Sequence, residues 1–212
     1  MKLYREEVSP LVDLVIDVSA SMFVDQKKSI RSLELFYFCI ESARHSDASL
    51  HVFAADGHEF CVLTTEQAVA ADDFLFAVVQ GRPDLARIPW RQGSLRILLS
   101  DLLFPGPPGS VITALASGKG RGLILAPFSA DEANPGWLGN VALTDCETKH
   151  RRLQRVTAPL LARYGDNYRR HFSLWRDQAR KQGIVIAQVG SDDAFRDALQ
   201  TEALPRGAVE FY

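Results

Sequence analysis

A chain of 212 residues with 47% apolar residues can bury a core, and no flexible linker divides it, so we expect one domain over residues 1–212. The formal net charge of -2 gives no reason to expect binding to nucleic acid or to an anionic membrane surface. No apolar run has the length of a signal peptide or a membrane span. Cys39, Cys61 and Cys146 are far apart in apolar surroundings, which predicts mostly buried, reduced thiols and a cytoplasmic location.

The first predicted strand covers residues 11–18, an apolar run rich in branched side chains that follows Pro10 and is typical of a strand buried on both faces. A first helix follows and is predicted to end near His45. Its predicted buried stripe is Ile30, Leu33, Phe36 or Tyr37, Ile40 and Ala43. We expect this helix to pack on the sheet.

Two short apolar segments, 50–55 and 59–63, are joined by an Asp-Gly turn, which predicts a hairpin and therefore an antiparallel third strand. Thr65 is placed to cap a helix that runs to about Val79. Residues 95–99 repeat the pattern of the first strand, because an apolar run again ends at a carboxylate.

The second half of the chain alternates helices and strands. The predicted elements are a helix over 111–116, a strand over 122–127, an irregular stretch over 129–140, a small hairpin of 141–143 with 152–156, a long helix to Gln182, a strand over 184–189, and a helix over 192–204 capped by Ser191 or Asp192. This order predicts an α/β fold with three layers, in which a doubly wound, mainly parallel sheet of about six strands has one antiparallel edge strand.

Polar side chains follow two of the predicted strands. Asp17, Ser19 and Ser21 stand where the first strand gives way to the first helix, and Ser100 and Asp101 end the strand over 95–99. Open α/β sheets bind ligands at the carboxyl ends of their strands. We therefore expect the functional site at this edge.

The pattern Asp17-x-Ser19-x-Ser21, with a later strand ending in Ser100-Asp101, resembles the von Willebrand factor A domain and its metal ion-dependent adhesion site. A narrower resemblance is to the bacterial domain of unknown function 58. It is carried by Tyr-Arg-Glu-Glu-Val at 4–8, by 17–22 and by 99–103, with agreement at Glu132, Pro135, Asp145-x-Glu147-Thr148 and 204–209. Members of that family usually carry a Pro-Gly-Asp-Asp type motif before Tyr-Arg-Glu-Glu, so this chain is expected to be N-terminally short.

The resemblance implies a von Willebrand factor A-like, Rossmann-like fold and a non-enzymatic module that binds other proteins. It further implies a MoxR-type AAA ATPase as the partner, in the assembly or remodelling of other complexes. It also implies a metal site formed by Asp17, Ser19, Ser21 and Asp101. Hydroxyl and carboxylate oxygens suit Mg²⁺, or Mn²⁺, and an open coordination position can accept a carboxylate from a partner.

The adhesion site also uses a threonine from a later loop, but residues 82–94 contain none. Ser94, Thr64 and Thr65 are the alternatives for this ligand. Another interpretation needs no metal: Asp17 is then a buried acid held by backbone amides, while Ser19 and Ser21 cap the first helix.

The alternative function is a metal-assisted hydrolase whose ion activates a water near Asp101. No second carboxylate or histidine has motif support as a general base. A haloacid dehalogenase-like phosphotransferase needs a second aspartate two residues after the first, where this chain has Ser19. The sequence therefore favours binding over catalysis.

Residues 149–181 contain ten basic and two acidic side chains, so the rest of the chain is acidic. Arg169, Arg176 and Arg180 are spaced to share one face of the long helix. This face is either solvated or complementary to an acidic partner. Nucleic acid is not expected as the partner, because no aromatic interleaving or nucleic-acid motif accompanies the charges.

Overall fold

The computed structural model describes residues 9–57, 59–69 and 83–210. The strands are β1 (Leu11–Asp17), β2 (Ser49–Asp56), β3 (Glu59–Leu63), β4 (Leu95–Leu99), β5 (Arg121–Phe128), β6 (Gly139–Thr144), β7 (Arg151–Val156) and β8 (Val185–Gly190). The helices are α1 (Gln26–His45), α2 (Thr65–Val69), α3 (Gly109–Ala116), α4 (Ala130–Ala133), α5 (Ala158–Lys181) and α6 (Phe195–Ala198), which continues into a π-helical turn, Leu199–Ala203.

The main sheet has the strand order β3-β2-β1-β4-β5-β8. Within the described residues β3 pairs antiparallel with β2, and the other neighbours pair parallel. This confirms the predicted α/β fold, a mainly parallel sheet of six strands with one antiparallel edge strand. The chain leaves β1 toward β2 on one side and later returns as β4 on the other, so the switch point of the topology lies between β1 and β4.

Helices cover both faces of the sheet. Leu14 and Ile16 pack with the apolar side chains of α1, whereas Val15 packs with those of α3 and α5. Successive side chains of a strand point to opposite faces, and for this reason β1 is buried on both. Each fully buried aliphatic side chain contributes about 1.5–3 kcal/mol to the free energy of unfolding. The buried side chains of β1 therefore stabilise the sheet, and the sheet in turn holds the two polar ends of β1 in place.

The buried face of α1 differs from the predicted stripe. Ile30 is 48% exposed, while Lys28, Arg31 and Ser32 are buried in the first turns of the helix. The predicted stripe is confirmed at Phe36, Ile40 and Ala43 and wrong at Ile30, because an apolar pattern cannot reveal a polar side chain that is buried against a polar partner.

Two segments after β5 also differ from expectation. The stretch predicted as irregular contains α4, which Ser129 and Glu132 stabilise through a capping box. The last helix begins at Phe195, and Asp192 does not cap it. Instead, Asp192 accepts hydrogen bonds from Lys27 Nζ at 2.7 Å and from the Ala130 amide at 2.9 Å.

The predicted burial of the three cysteines is confirmed only in part. All three cysteines are free, but Cys61 is exposed and Cys146 is half-buried, so only the burial predicted for Cys39 is confirmed. Burial raises the pKa of the Cys39 thiol to about 12.

The predicted helix from Thr65 is confirmed through Val69, while its remainder and the segment 4–8 lie outside the described residues. In the described ranges, no helix has the length and apolar character needed to cross a membrane.

Candidate functional site

Asp17 and Asp101 meet at the carboxyl edge of the sheet because β1 and β4 end side by side. Ile16 pairs with Leu99, which places Ser100 and Asp101 next to the last residue of β1. The Ser100 hydroxyl donates a 2.7 Å hydrogen bond to Asp17 Oδ2. The structure thus brings together the polar ends of the two strands, as the sequence predicts.

Asp17 is a buried carboxyl group that forms no ion pair with any residue in the described part of the chain. It is 1% exposed, and its Oδ1 accepts a 2.9 Å hydrogen bond from the Ser19 amide. Burial, together with the negative charge of Asp101, raises the pKa of Asp17 to about 7, although the hydrogen bonds from Ser100 and Ser19 oppose this. A cation beside Asp17 would favour the ionised form and lower this pKa.

The hydroxyl groups of Ser19 and Ser21 point toward each other, with 3.1 Å between their oxygens. Neighbouring ligands of an octahedral Mg²⁺ at its usual bond length are about 3 Å apart. Ser19 precedes a 3₁₀ turn but makes no capping hydrogen bond with its side chain, and α1 is instead capped by Asp25, which accepts from the Lys28 amide at 2.8 Å. The interpretation without a metal is therefore right about the amide at Asp17 and wrong about the serines as helix caps.

The loop after Asp101 is held in a strained conformation. Leu102 is fully buried with a φ of 60°, a left-handed conformation that costs a residue with a side chain about 1–2 kcal/mol. The Leu103 amide donates to Asp101 Oδ1 at 3.0 Å, the Leu102 amide donates to Ser100 Oγ at 3.2 Å, and Leu102 O lies 2.8 Å from His171 Nε2. These contacts fix the Asp101 carboxylate at the edge of the sheet.

Lys28 is a site residue that the sequence analysis missed. Its side chain is fully buried, and Nζ donates to Asp101 Oδ2 at 2.8 Å and to Glu132 Oε1. Burial opposes the charge of Lys28, but the carboxylates of Asp101 and Glu132 outweigh this effect and raise its pKa above the usual value. The available signal was its position on α1, since Lys28 is in helical register with Ser32, Leu35 and Phe36 on the buried face.

Two glutamates reach the same edge from later segments. Glu132 Oε2 accepts from the Ser129 amide at 2.9 Å, which leaves Oε1 directed at Lys28. Burial raises the pKa of Glu132 above its usual value, against the effect of Lys28. Glu147, in the connection between β6 and β7, accepts a 2.9 Å hydrogen bond from the Ser21 amide through Oε1. The sequence analysis noted both glutamates only as points of family resemblance.

The described candidates for the missing threonine ligand lie elsewhere. Ser94 is at the opposite end of β1, where its hydroxyl donates to Asp13 Oδ2 at 2.7 Å. Thr64 follows Leu63, which pairs with the middle of β2, and its Oγ1 accepts from the Gln67 amide at 3.1 Å. The side chain of Thr65 lies outside the described residues. Ser94 and Thr64 were therefore wrong as candidates.

We call these residues the edge cluster: Asp17, Ser19, Ser21, Lys28, Asp101, Glu132 and Glu147. One ammonium group faces four carboxylates in it, so the cluster has an excess of negative charge. The spacing of the two serine hydroxyls and the negative charge of the cluster fit a hard divalent cation beside Asp17, Ser19 and Ser21. Asp101 is set apart from these three residues because one of its oxygens already accepts a hydrogen bond from Lys28. In the described ranges, no three or more His, Cys, Asp or Glu side chains form a group that could hold a metal ion.

Comparisons with known proteins support the fold. No protein-family model and no curated protein sequence matches the chain. The structure is similar to an aerotolerance-related membrane protein from Bacteroides fragilis, with a TM-score of 0.51 and 12% identity over 95% of this chain and 100% of that chain. It also matches the conserved hypothetical protein BatB from Bacteroides thetaiotaomicron, with a TM-score of 0.48 and 13% identity over the same shares. At 12% identity, the first similarity shows a shared fold.

The arginines of α5 serve different purposes. Arg169 pairs with Asp166 on the exposed side of the helix at 2.6 Å. Arg176 is half-buried, and it donates to Gln188 Oε1 at 2.5 Å and to Glu202 Oε1 at 3.1 Å, which ties α5 to β8 and to the π-helical turn. The basic face predicted from the spacing is therefore interrupted at Arg176.

Proposed function

We propose that this chain is a non-enzymatic protein-interaction domain that binds a carboxylate of a partner protein at the edge cluster. The observation that carries this proposal is the pair of serine hydroxyls beside a buried carboxyl group with a raised pKa, at the switch point of the sheet. Such an arrangement binds a cation and leaves it exposed on one side.

The cation we propose is Mg²⁺, or Mn²⁺, held by Asp17, Ser19 and Ser21, with Asp101 as a ligand through water. A bound divalent ion would supply the positive charge that attracts the partner's carboxylate. Asp17 would be kept ionised beside it, and the two hydroxyls would present their oxygens from the turn that follows β1.

Lys28 gives the cluster a second, permanent positive charge. Its ammonium group pairs with the carboxylates of Asp101 and Glu132, and removal of one partner from such a buried ion pair is strongly destabilising. We therefore expect the domain to fold without a metal, while binding of a partner depends on the metal.

The partner we propose is a MoxR-type AAA ATPase, as the resemblance to the domain of unknown function 58 implies, and the location we propose is the cytoplasm. The free state of Cys39, Cys61 and Cys146 supports a reducing compartment. We expect a purified MoxR-type ATPase to bind the chain in the presence of Mg²⁺ and to be released by a chelator.

Binding is favoured over catalysis by the state of the buried carboxylates. Both oxygens of Asp17, of Asp101 and of Glu132 accept hydrogen bonds, so these groups are engaged in structure rather than placed as a general base. Hydrolysis of phosphoesters or peptides that requires Mg²⁺ and is lost in Asp17→Ala would establish the alternative, a metal-assisted hydrolase.

Calorimetric titration with Mg²⁺ tests the proposal. We expect saturable heat from the wild-type protein, none from Asp17→Ala, and a wild-type trace from the control Asp192→Ala, which removes an exposed carboxylate outside the cluster. Flat traces from all three proteins would overturn the metal site, as would equal binding by Asp17→Ala and the wild type.

A further inference from the structure

The hairpin of β6 and β7 is a separate two-stranded sheet with one face toward solvent. On its inner face Val156 is 5% exposed, and Val141 and Gln154 are half-buried, whereas Leu143 and Arg152 near the turn are exposed. The outer face is formed by side chains that share the opposite register and are all exposed: Asn140, Ala142, Thr144, Arg151, Leu153 and Arg155. A two-stranded hairpin has little stability of its own, and this one leaves its whole outer face open to a partner.

The centre of this outer face is Leu153, which is 79% exposed. Arg151 and Arg155 stand two residues to either side of it and point the same way, roughly 7 Å from it along the strand. Neither arginine forms an ion pair with any residue that the structure describes. Leu138, which directly precedes β6, is 63% exposed and adds apolar surface near the hairpin.

We infer that the outer face of the β6–β7 hairpin is a docking surface for an acidic segment of a protein partner, in which an apolar side chain lies between two carboxylates. The apolar side chain would cover Leu153, while the carboxylates would pair with Arg151 and Arg155. This deepens the proposed function, on which it rests, because it gives the chemistry of the partner beyond a single carboxylate.

The location of the hairpin supports this surface. The turn between β6 and β7 holds Glu147, whose Oε1 binds the Ser21 amide at the edge cluster. The turn of the hairpin therefore lies against the edge cluster. We expect a partner that places a carboxylate at the edge cluster to lie close to the hairpin.

Two other occupants fit the surface less well. A second copy of this chain, docked through the same face, would bring arginine against arginine, which is repulsive. A nucleic acid backbone would pair with the arginines but has no apolar group to cover Leu153. Charge and apolar surface together thus favour an acidic protein segment.

The test is fluorescence anisotropy with a labelled peptide of Glu-Leu-Glu units separated by serine, measured in EDTA so that binding through a metal does not contribute. We expect the wild-type protein to bind this peptide and not a matched Lys-Leu-Lys peptide. Arg151→Glu/Arg155→Glu should bind about tenfold more weakly, and Leu153→Ser should also bind about tenfold more weakly. The control Lys119→Glu/Arg121→Glu makes the same charge change at the opposite edge of the sheet and should bind like the wild type.

Several outcomes would overturn the docking surface. These are equal binding by the hairpin variants and the wild type, tighter binding of a labelled oligonucleotide than of the acidic peptide, and a wild-type dimer that Leu153→Ser dissociates. Loss of all peptide binding in EDTA would contradict the hairpin surface and leave the metal-dependent function standing. Conversely, peptide binding that persists in EDTA, together with a flat Mg²⁺ titration of the wild-type protein, would support the hairpin surface and contradict the metal site.

Discussion

The two ends of β1 carry one buried aspartate each, on the same face of the sheet, in opposite electrostatic surroundings. Asp13 is fully buried and accepts from Arg91 Nε at 2.6 Å, from the Arg91 amide at 3.0 Å and from the Ser94 hydroxyl. Arg96 lies close by, where it donates to the Ser94 hydroxyl at 3.4 Å. Asp13 thus has two guanidinium groups near one carboxylate.

Arg96 fills the space at the Asp13 end of β1. Arg96 is 1% exposed and donates to Ala114 O and to the Ser117 hydroxyl, both at 2.7 Å. A side chain on Gly120 would place its Cβ 2.5 Å from Arg96 Nε, so this position requires glycine. The contacts at this end hold β1, β4 and β5 together.

The Asp17 end has the reverse balance, with Lys28 as the one ammonium group in the edge cluster against four carboxylates. Burial and the negative charge of Asp101 raise the pKa of Asp17 to about 7. A cation bound beside Asp17 would favour its ionised form and lower this pKa. We infer from this comparison that Asp13, which has positive charge around it, serves stability, and we propose that Asp17, which has an excess of negative charge around it, serves binding. The predictions below test this difference.

The largest effect is expected for Lys28→Met. The substitution leaves Asp101 and Glu132 buried without a cation, which costs about 3–5 kcal/mol of the free energy of unfolding. Urea denaturation in EDTA measures the loss, and Mg²⁺ should restore part of it. Lys27→Met is the matched control, because Lys27 is exposed and should matter little. Similar stability of the two variants would show that Lys28 is not a structural charge.

At the Asp13 end of β1, Arg91→Met should lower the free energy of unfolding by about 3 kcal/mol, because it removes the main partner of the buried Asp13. The same denaturation experiment measures it. Mg²⁺ should restore none of the stability that Arg91→Met loses, whereas it should restore part of the stability that Lys28→Met loses. Rescue of Arg91→Met by Mg²⁺ would remove the distinction between the two ends.

The pH dependence of stability should report Asp17. Its pKa is 3.8 in the unfolded chain and about 7 in the fold, so the unfolded form loses its proton first as the pH rises. The free energy of unfolding in EDTA should therefore fall between about pH 4 and pH 7 and then level off. Asp17→Asn should remove this component and be more stable than the wild type at pH 8 by at least about 1 kcal/mol. Parallel pH profiles for the two proteins would contradict the raised pKa.

The smallest effect on stability is expected for Ser19→Ala/Ser21→Ala, at about 1 kcal/mol or less, because one hydrogen bond between a buried and a half-buried serine is lost. Thermal unfolding with and without Mg²⁺ measures it. The variant should lose the Mg²⁺-dependent increase in melting temperature that the wild type shows. The control Ser46→Ala, at the exposed end of α1, should keep that increase.

The sequence predicted the strands of the main sheet well because each is a short apolar run that ends at a polar residue. Residues 59–63 and 95–99 were predicted with the bounds that the structure has. The parallel arrangement of β1 and β4 then places Asp17 and Asp101 at one edge, as the pattern indicates. These features depend on local sequence and on topology.

The rest of the edge cluster depends on contacts between distant parts of the chain. Lys28 is 73 residues from Asp101, and Ser21 is 126 residues from Glu147. The register of Lys28 with the buried face of α1 was the only signal in the sequence, and the acids that pair with the buried ammonium group are brought near only by the fold. The same reason explains the wrong prediction of Ser94 as a ligand, since its partner Asp13 lies at the opposite end of β1.

A crystal of the wild-type protein soaked in Mn²⁺ tests the central claim most directly, through the anomalous scattering of the ion. We predict one strong anomalous peak within coordination distance of Ser19 Oγ and Ser21 Oγ, beside Asp17, and none near Asp13. A map with no peak at the edge cluster, while the serine hydroxyls stay hydrogen-bonded to each other, would contradict the account.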